Sequence, residues 1–316
     1  RTPEPLEEAR NKVSPPTVKA PSGSQDRGFI DNYVFPHPSP SYTMYDFPWP
    51  DNLCWFKVPS AIGPPAMAPA FICPLVSASH AMLYCHSNAV DLGHIHKTIV
   101  QLARRWHCHI LAVEYPGYGA CKGTPSESSV TKVVHAALTF LDKKLGVPPS
   151  RVVLYGSSIG TGPSTRLAAE LCKNHTPPAA LILQSPFRSI KSVAEHLLGS
   201  TLSMFIAERF DNAHWIRWAT CPVLIIHGQR DRVAPFEHAR QLYNLCPSNA
   251  RALFGPQDAG HDDLHFDKHI VRPVVEFMQQ RVHNYAAKEG AIELPREEIR
   301  AAATPPTGPL APINDM

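Results

Sequence analysis

The feature that most constrains this chain is an alternation. From about residue 80 to residue 282, short runs of continuous apolar residues take turns with stretches of helical spacing. The runs are "HAMLYCHS" (80–87), "CHILAVEY" (108–115), "RVVLYG" (151–156), "AALILQSP" (179–186), "CPVLIIHG" (221–228) and the shorter "ARALFG" (250–255). A strand wetted on one face alternates apolar with polar residues. These runs do not, so both their faces must be covered. Between them lie "LGHIHKTIVQLARRW" (92–106), with Ile95, Ile99, Leu102, Ala103 and Trp106 on one helical stripe, then "ESSVTKVVHAALTFLDKKLG" (127–146), "SIGTGPSTRLAAELCK" (158–173), "SIKSVAEHLLG" (189–199), "FEHARQLYNLC" (236–246) and "DKHIVRPVVEFMQQRV" (267–282). The pattern predicts an α/β fold, a mostly parallel central sheet with helices on both faces. Upstream, "YTMYDF", "LCWFKVP" and "AFICPLV" (42–76) are expected to open the sheet as antiparallel strands.

The domain is expected over 28–283. Residues 1–27 are rich in Pro, Ser and charge and are expected to be disordered. Residues 284–316 read as a mostly disordered tail, with a short helix near "REEIRAAA". At 316 residues and 44% hydrophobic, the chain can bury one large core. The 30 basic residues against 27 acidic ones give a net +3 with no basic stripe, which argues against nucleic acid as a partner. No apolar run is long enough for a spanning helix. The eight cysteines form no C-x-x-C, and several sit inside apolar runs, so they read as reduced thiols of a cytoplasmic protein. The triplet Asn174-His175-Thr176 carries little weight without a visible secretory signal. Nothing calls for a cofactor.

Chemistry enters at "VVLYGSSIGTGPS" (152–164). Gly156-Ser157-Ser158-Ile159-Gly160 fits G-x-S-x-G, a weak pattern alone but one lodged here between an apolar strand and a helix. A sharp, strained turn there lifts the side chain of Ser158 above the sheet edge. Cβ atoms at its flanks would strike the neighbouring strand and helix, hence Gly156 and Gly160. A serine hydroxyl needs a base to take its proton. Asp231, just past the strand ending at Gly228, and His261, in "LFGPQDAGHDDLH" (253–265), follow in the order acid then base. Asp258 is a rival acid in the same loop as the histidine. His265, four residues after His261, would suggest a metal pair, but H-D-D-L-H lacks the glutamate of the zinc-protease motif and no third ligand is indicated. An oxyanion needs two N–H donors. The backbone N–H of Ile159 supplies one, and position assigns the other to the backbone N–H of Asn88 in "YCHSNAVDLG" (84–93).

With "HSNAVDLG" (86–93), "EYPGYG" (114–119), "GSSIG", "PVLIIHGQRD" (222–231) and "DAGHDD" (258–263) in this order, the chain resembles the α/β-hydrolase family over about residues 70 to 282. More closely it is similar to the alpha/beta-hydrolase-domain-containing depalmitoylases, which lack a large lid. The resemblance implies Ser158 as nucleophile, Asp231 as orienting acid and His261 as base, and implies acyl-thioester or ester hydrolysis. Two departures stand out. Ser87 replaces the glycine usual after the first histidine, and Glu114 stands where aspartate is commoner, with no role assigned to it. Family members attach to membranes through an N-terminal cysteine cluster. The first cysteine here is Cys54, so an anchor of that kind would belong upstream of Arg1.

The segment between Pro186 and Cys221 is too short for a large lid. Its "TLSMFIAERF", Trp215 and Trp218 are of the kind that pack cores and helices more often than they line a lipid groove. The expected partner is an acylated protein or lipid, with peripheral membrane association. A lysophospholipase, a monoacylglycerol-type lipase or a general carboxylesterase would use the same three residues. A serine aminopeptidase would need a gating cap, for which the chain has no room. A non-catalytic scaffold of this fold is the reading from another class, with Ser87 its best support.

Overall fold

The continuous apolar runs become the strands of a single sheet. The computed structural model describes residues 34–36, 38–60, 65–204, 206–285 and 290–315. Among these, the strands are β1 (Leu53–Val58), β2 (Ala66–Cys73), β3 (Ala81–Cys85), β4 (His109–Val113), β5 (Val152–Ser157), β6 (Ala180–Gln184), β7 (Val223–Ile226) and β8 (Arg251–Phe254). Their spatial order is β1-β2-β4-β3-β5-β6-β7-β8. The β1–β2 and β2–β4 pairings are antiparallel and the remaining five parallel. The expected α/β architecture therefore holds. So does the antiparallel opening by "LCWFKVP" and "AFICPLV". "YTMYDF" differs: it is an irregular segment whose Tyr42 and Phe47 are buried while Tyr45 is exposed.

Every residue of β5 is buried, because helices cover both faces of the sheet. Val153 and Tyr155 point to one side, where α1 (Leu92–Trp106) buries Ile99, Leu102 and Trp106 and a later helix, Arg272–Arg281, adds Val274, Phe277 and Met278. Val152 and Leu154 point to the other side, covered by α2 (Glu127–Lys143) and α3 (Thr161–Lys173) with Val133, Val134, Leu141, Leu167 and Ala168. The ends of these helices are set by local chemistry. The Asp91 carboxylate accepts the His94 N–H to start α1, and Ser126 with Ser129 forms a reciprocal cap on α2. Two further helices belong to the layers: α4 (Ile190–Leu198), which lies over the carboxyl ends of the strands, and α5 (Phe236–Leu245). The Arg272–Arg281 helix is α6, entered through one π-helical stretch at Phe266–Val271.

The chain leaves β3 to one side through α1 and β4, then returns through α2 to the other side as β5. This reversal opens a crevice above the carboxyl ends of β3 and β5, the place where open α/β sheets bind ligands.

The expectation of a disordered stretch over 1–27 lies outside the described residues. The expectation of a mostly disordered tail over 284–316 is corrected for residues 290–315, which run across the sheet's β1 side. Ile292 N–H donates to Ala78 O at 2.8 Å. The helix α7 (Arg296–Ala303) sets buried Ile299 against β1, and Ile313 forms a parallel bridge with Gly123. Proline-rich composition misled here because the segment's order comes from docking, not from local periodicity. If so, Ile299→Ala costs about 2 kcal/mol in urea unfolding, the loss of a partly enclosed isoleucine side chain. A change within about 0.5 kcal/mol, as at an unpacked surface position, would mean the segment does not stabilise the fold.

Candidate active site

β5 ends at Ser157, and a single 3-10 turn, Ser158–Gly160, carries the chain into α3. Ser158 has φ of +50°, in the left-handed region that L residues enter only when their surroundings hold them there. The surroundings are backbone. A Cβ on Gly156 would lie 2.4 Å from Gly160 O, and one on Gly160 would lie 2.3 Å from Cys85 O at the end of β3. Neither position can carry a side chain, as the sequence pattern predicted.

Three distant residues meet at this turn. His261 Nε2 lies 2.9 Å from Ser158 Oγ, and His261 Nδ1 lies 2.6 Å from Asp231 Oδ2. A carboxylate only accepts, so the ring N–H sits on Nδ1 and leaves Nε2 free to accept the Ser158 hydroxyl proton. The Asp231 carboxylate is fully committed. Its Oδ1 accepts the N–H groups of Val233 and Ala234, each at 2.8 Å, so the residue also turns the chain after β7. Its Oδ2 faces His227 Nε2 at 3.1 Å, whose N–H also reaches Ala234 O at 2.7 Å. Burial alone would favour the protonated acid, but the hydrogen bonds from His227 and His261, with that of Ala234, hold the Asp231 carboxyl well below the usual carboxylate range. For His261, burial works against the imidazolium, while the hydrogen bond and charge of Asp231, joined by the charge of Asp262, prevail and raise its pKa above the ordinary 6.5.

The rival residues stand elsewhere. Asp258 is half exposed, its Oδ2 paired with Lys268 at 3.0 Å. His265 caps the following helix by accepting the Lys268 N–H.

Ser158 and His261 open onto a cavity of about 540 Å³, with Asn88 and Ile159 on its wall. The roof is α4. This helix buries none of its residues in the core, and Ile190, Val193, Leu197 and Leu198 face the cavity. The residues expected to pack the core or helices divide: in "TLSMFIAERF" Phe210 is buried in the core, Ile206 lines the cavity, and Leu202 and Met204 are exposed. Trp215 is half-buried and Trp218 exposed, each under a cation: Arg166 stands 5.1 Å from the Trp215 ring and Lys173 stands 4.5 Å from that of Trp218. Sequence reasoning also missed His227, although its place in "IIHGQRD" four residues before Asp231 was a usable signal.

Comparison with known proteins gives the following. No family model matches the chain. Alpha/beta hydrolase domain-containing protein 17B of Xenopus laevis is 36% identical over 212 residues, which cover 67% of this chain and 70% of that protein. Alpha/beta hydrolase domain-containing protein aho-3 of Caenorhabditis elegans is 31% identical over 251 residues, 74% of this chain and 73% of that protein. Among solved structures, an alpha-beta hydrolase of Vibrio vulnificus superposes with a TM-score of 0.63 at 16% identity, over 85% of this chain and 97% of its own. An esterase of Pyrococcus furiosus gives 0.61 at 14% identity, over 78% and 97%. At those identities the structures speak to the fold, which is that of the α/β hydrolases.

The backbone contact at Gly160 makes a direct prediction. Gly160→Ala forces β3 and the serine turn apart and lowers stability by about 2–3 kcal/mol in denaturant unfolding. Wild-type stability in that variant would show that the close approach is not tight.

Proposed function

The chain belongs to the alpha/beta hydrolase domain-containing family, and we propose that it is a serine hydrolase of acyl esters and thioesters, acting on S-acylated protein. The observation that carries this reading is the unbroken relay from Ser158 Oγ through His261 to Asp231, at 2.9 and 2.6 Å, under an apolar cavity.

The chemistry follows from the proton positions. His261 Nε2 accepts the Ser158 proton as Oγ attacks the acyl carbonyl. Asp231, held ionised, fixes the ring tautomer and offsets the imidazolium charge. The backbone N–H groups of Asn88 and Ile159 receive the developing oxyanion, each donor being worth about 3 kcal/mol in such sites. His261 then protonates the leaving group, a cysteine thiolate or an alkoxide. Water, deprotonated by the same nitrogen, releases the acyl chain from Ser158.

The apolar roof of α4 supports a long acyl chain as the bound group. In α4 and the stretch just after it, Leu198, Leu202 and Met204 are 50%, 57% and 73% exposed, and Leu198 also lines the cavity. Large apolar side chains grouped beside a cavity suit docking on a lipid surface. No described helix is long and apolar enough to cross a membrane, so the contact we propose is peripheral.

A fluorophosphonate probe labels the wild type and not Ser158→Ala, whereas equal labelling of both removes the nucleophile and no labelling of folded protein favours the scaffold reading. Palmitoyl-cysteine peptide is turned over faster than lysophospholipid or monoacylglycerol, and the reverse order makes the protein a glycerolipid lipase. The pH profile of kcat/KM has an acid limb: only neutral His261 can accept the proton, so activity falls as pH drops through its pKa, which lies above 6.5. Asp231→Asn moves that limb down and lowers kcat on the order of 10⁴-fold, as the same exchange in a serine triad does by holding the wrong ring tautomer. For the membrane contact, the double substitution Leu202→Glu with Met204→Glu abolishes co-sedimentation with phosphatidylcholine vesicles and leaves hydrolysis of a soluble short ester intact. Unchanged sedimentation sinks the docking surface.

A further inference from the structure

The hydrolytic mechanism does not use the buried carboxylate of Glu114. Glu114 follows β4 and its side chain is fully buried. A carboxylate sealed from water needs partners for both oxygens. Glu114 Oε1 lies 3.0 Å from His86 Nε2, and Oε2 accepts the Leu92 N–H at 2.9 Å and the Tyr42 O–H at 2.8 Å. Space for it exists because residue 119 is glycine, where a Cβ would lie 2.5 Å from Oε2.

The second nitrogen of the same ring is also held. His86 Nδ1 lies 2.8 Å from Ser87 O. Both ring nitrogens therefore face oxygens, one a carbonyl and one of the Glu114 carboxyl group, and the ring is fixed at both ends.

The pair sits behind the loop that brings Asn88 to the cavity, and the rest of "EYPGYG" grips the same loop. Tyr115 O–H donates to His86 O at 2.7 Å, with its ring centroid 4.0 Å from that of His86. Tyr118 O–H donates to Asn88 Oδ1 at 2.7 Å, and Asn88 Nδ2 donates to Val34 O at 2.7 Å. Three residues of one motif thus hold His86 and Asn88 of the other, on either side of Ser87. None of Glu114, His86 and Tyr115 lines the cavity.

We propose that Glu114 and His86 are a hydrogen-bonded positioning pair, which sets the Asn88 N–H at the height where an oxyanion forms on the Ser158 adduct. The pair acts through the loop and not on the substrate. It also answers the departure at Ser87: a loop clamped from behind needs no glycine there to find its conformation. This inference rests on the serine-hydrolase reading.

The test uses the full chain with Glu114→Gln and Glu114→Asp, each titrated with fluorophosphonate to count competent Ser158 sites. Glu114→Gln lowers kcat per titrated site on the order of 10²-fold, the effect of losing one oxyanion donor, with KM unchanged. Inhibition by a trifluoromethyl ketone, whose adduct carries that oxyanion, weakens by the same factor, and Glu114→Asp recovers part of both. If Glu114→Gln loses titratable sites while each remaining site keeps wild-type kcat, the pair only holds the fold and the inference is overturned. A second readout needs no turnover. With ring-¹⁵N histidine, the His86 Nε2 signal shifts between the wild type and Glu114→Gln, because its hydrogen-bond partner changes. An unshifted signal removes the pair. Absence of labelling in the wild type strikes the hydrolase reading itself, and the ring-nitrogen signals still decide whether the pair exists.

Discussion

Backbone meeting backbone at the ends of β3 and β5 is the constraint on which the rest of the site depends. Gly160 rests on the Cys85 carbonyl, and Gly156 rests on Gly160. With no side chains between them, the serine turn and the start of the 86–88 loop are held at a separation that leaves no slack. That contact keeps Ser158 at a φ of +50°, a conformation an isolated turn would abandon. The strain is tolerable because β5 is buried on both faces and paired on both edges, so the sheet cannot yield to relieve it. The same rigidity makes the distance between Ser158 and the backbone of Asn88 a property of the fold, not of loop motion.

The neighbouring strands complete the arrangement in the same manner. The Ser185 hydroxyl, at the end of β6, donates to the His261 carbonyl at 3.3 Å. Asp231 closes the turn after β7 through two backbone N–H groups before it reaches the histidine. Each functional side chain is thus tied to the end of a different parallel strand. Function and turn geometry are served by the same atoms, and Asp231 is both a helix-turn carboxylate and the acid of the relay.

This explains what the sequence made legible. Strands buried on both faces announce themselves as unbroken apolar runs, and a serine between two glycines at a strand end leaves few alternatives. Ser158, Asp231 and His261 could be picked out because chain order and strand ends are local facts, and the structure brings all three together. The elements that escaped are those ordered by distant contact. The helical period of 190–198 showed an apolar stripe but could not say that the stripe roofs a cavity instead of joining the core. "YTMYDF" alternates like a strand, yet Tyr42 is drawn inward by the Glu114 carboxylate. Residues 292, 294, 299 and 313 are isolated apolar positions in a proline-rich stretch, and only their docking on the β1 side and beside Gly123 gives them meaning.

The two histidine–carboxylate pairs near the serine show how one kind of contact can do opposite work. His261 with Asp231 and His86 with Glu114 have comparable separations, 2.6 and 3.0 Å. What separates them is access. The His261 side chain is 11% exposed and turns a free nitrogen toward the cavity, so its proton can leave for substrate and return. The His86 side chain is 1% exposed and has an oxygen against each nitrogen, so neither nitrogen is left to meet substrate. A pair with an open nitrogen is a base. A pair with none is a strut, and the proposed mechanism needs both, one to move a proton and one to keep still the loop toward which negative charge grows.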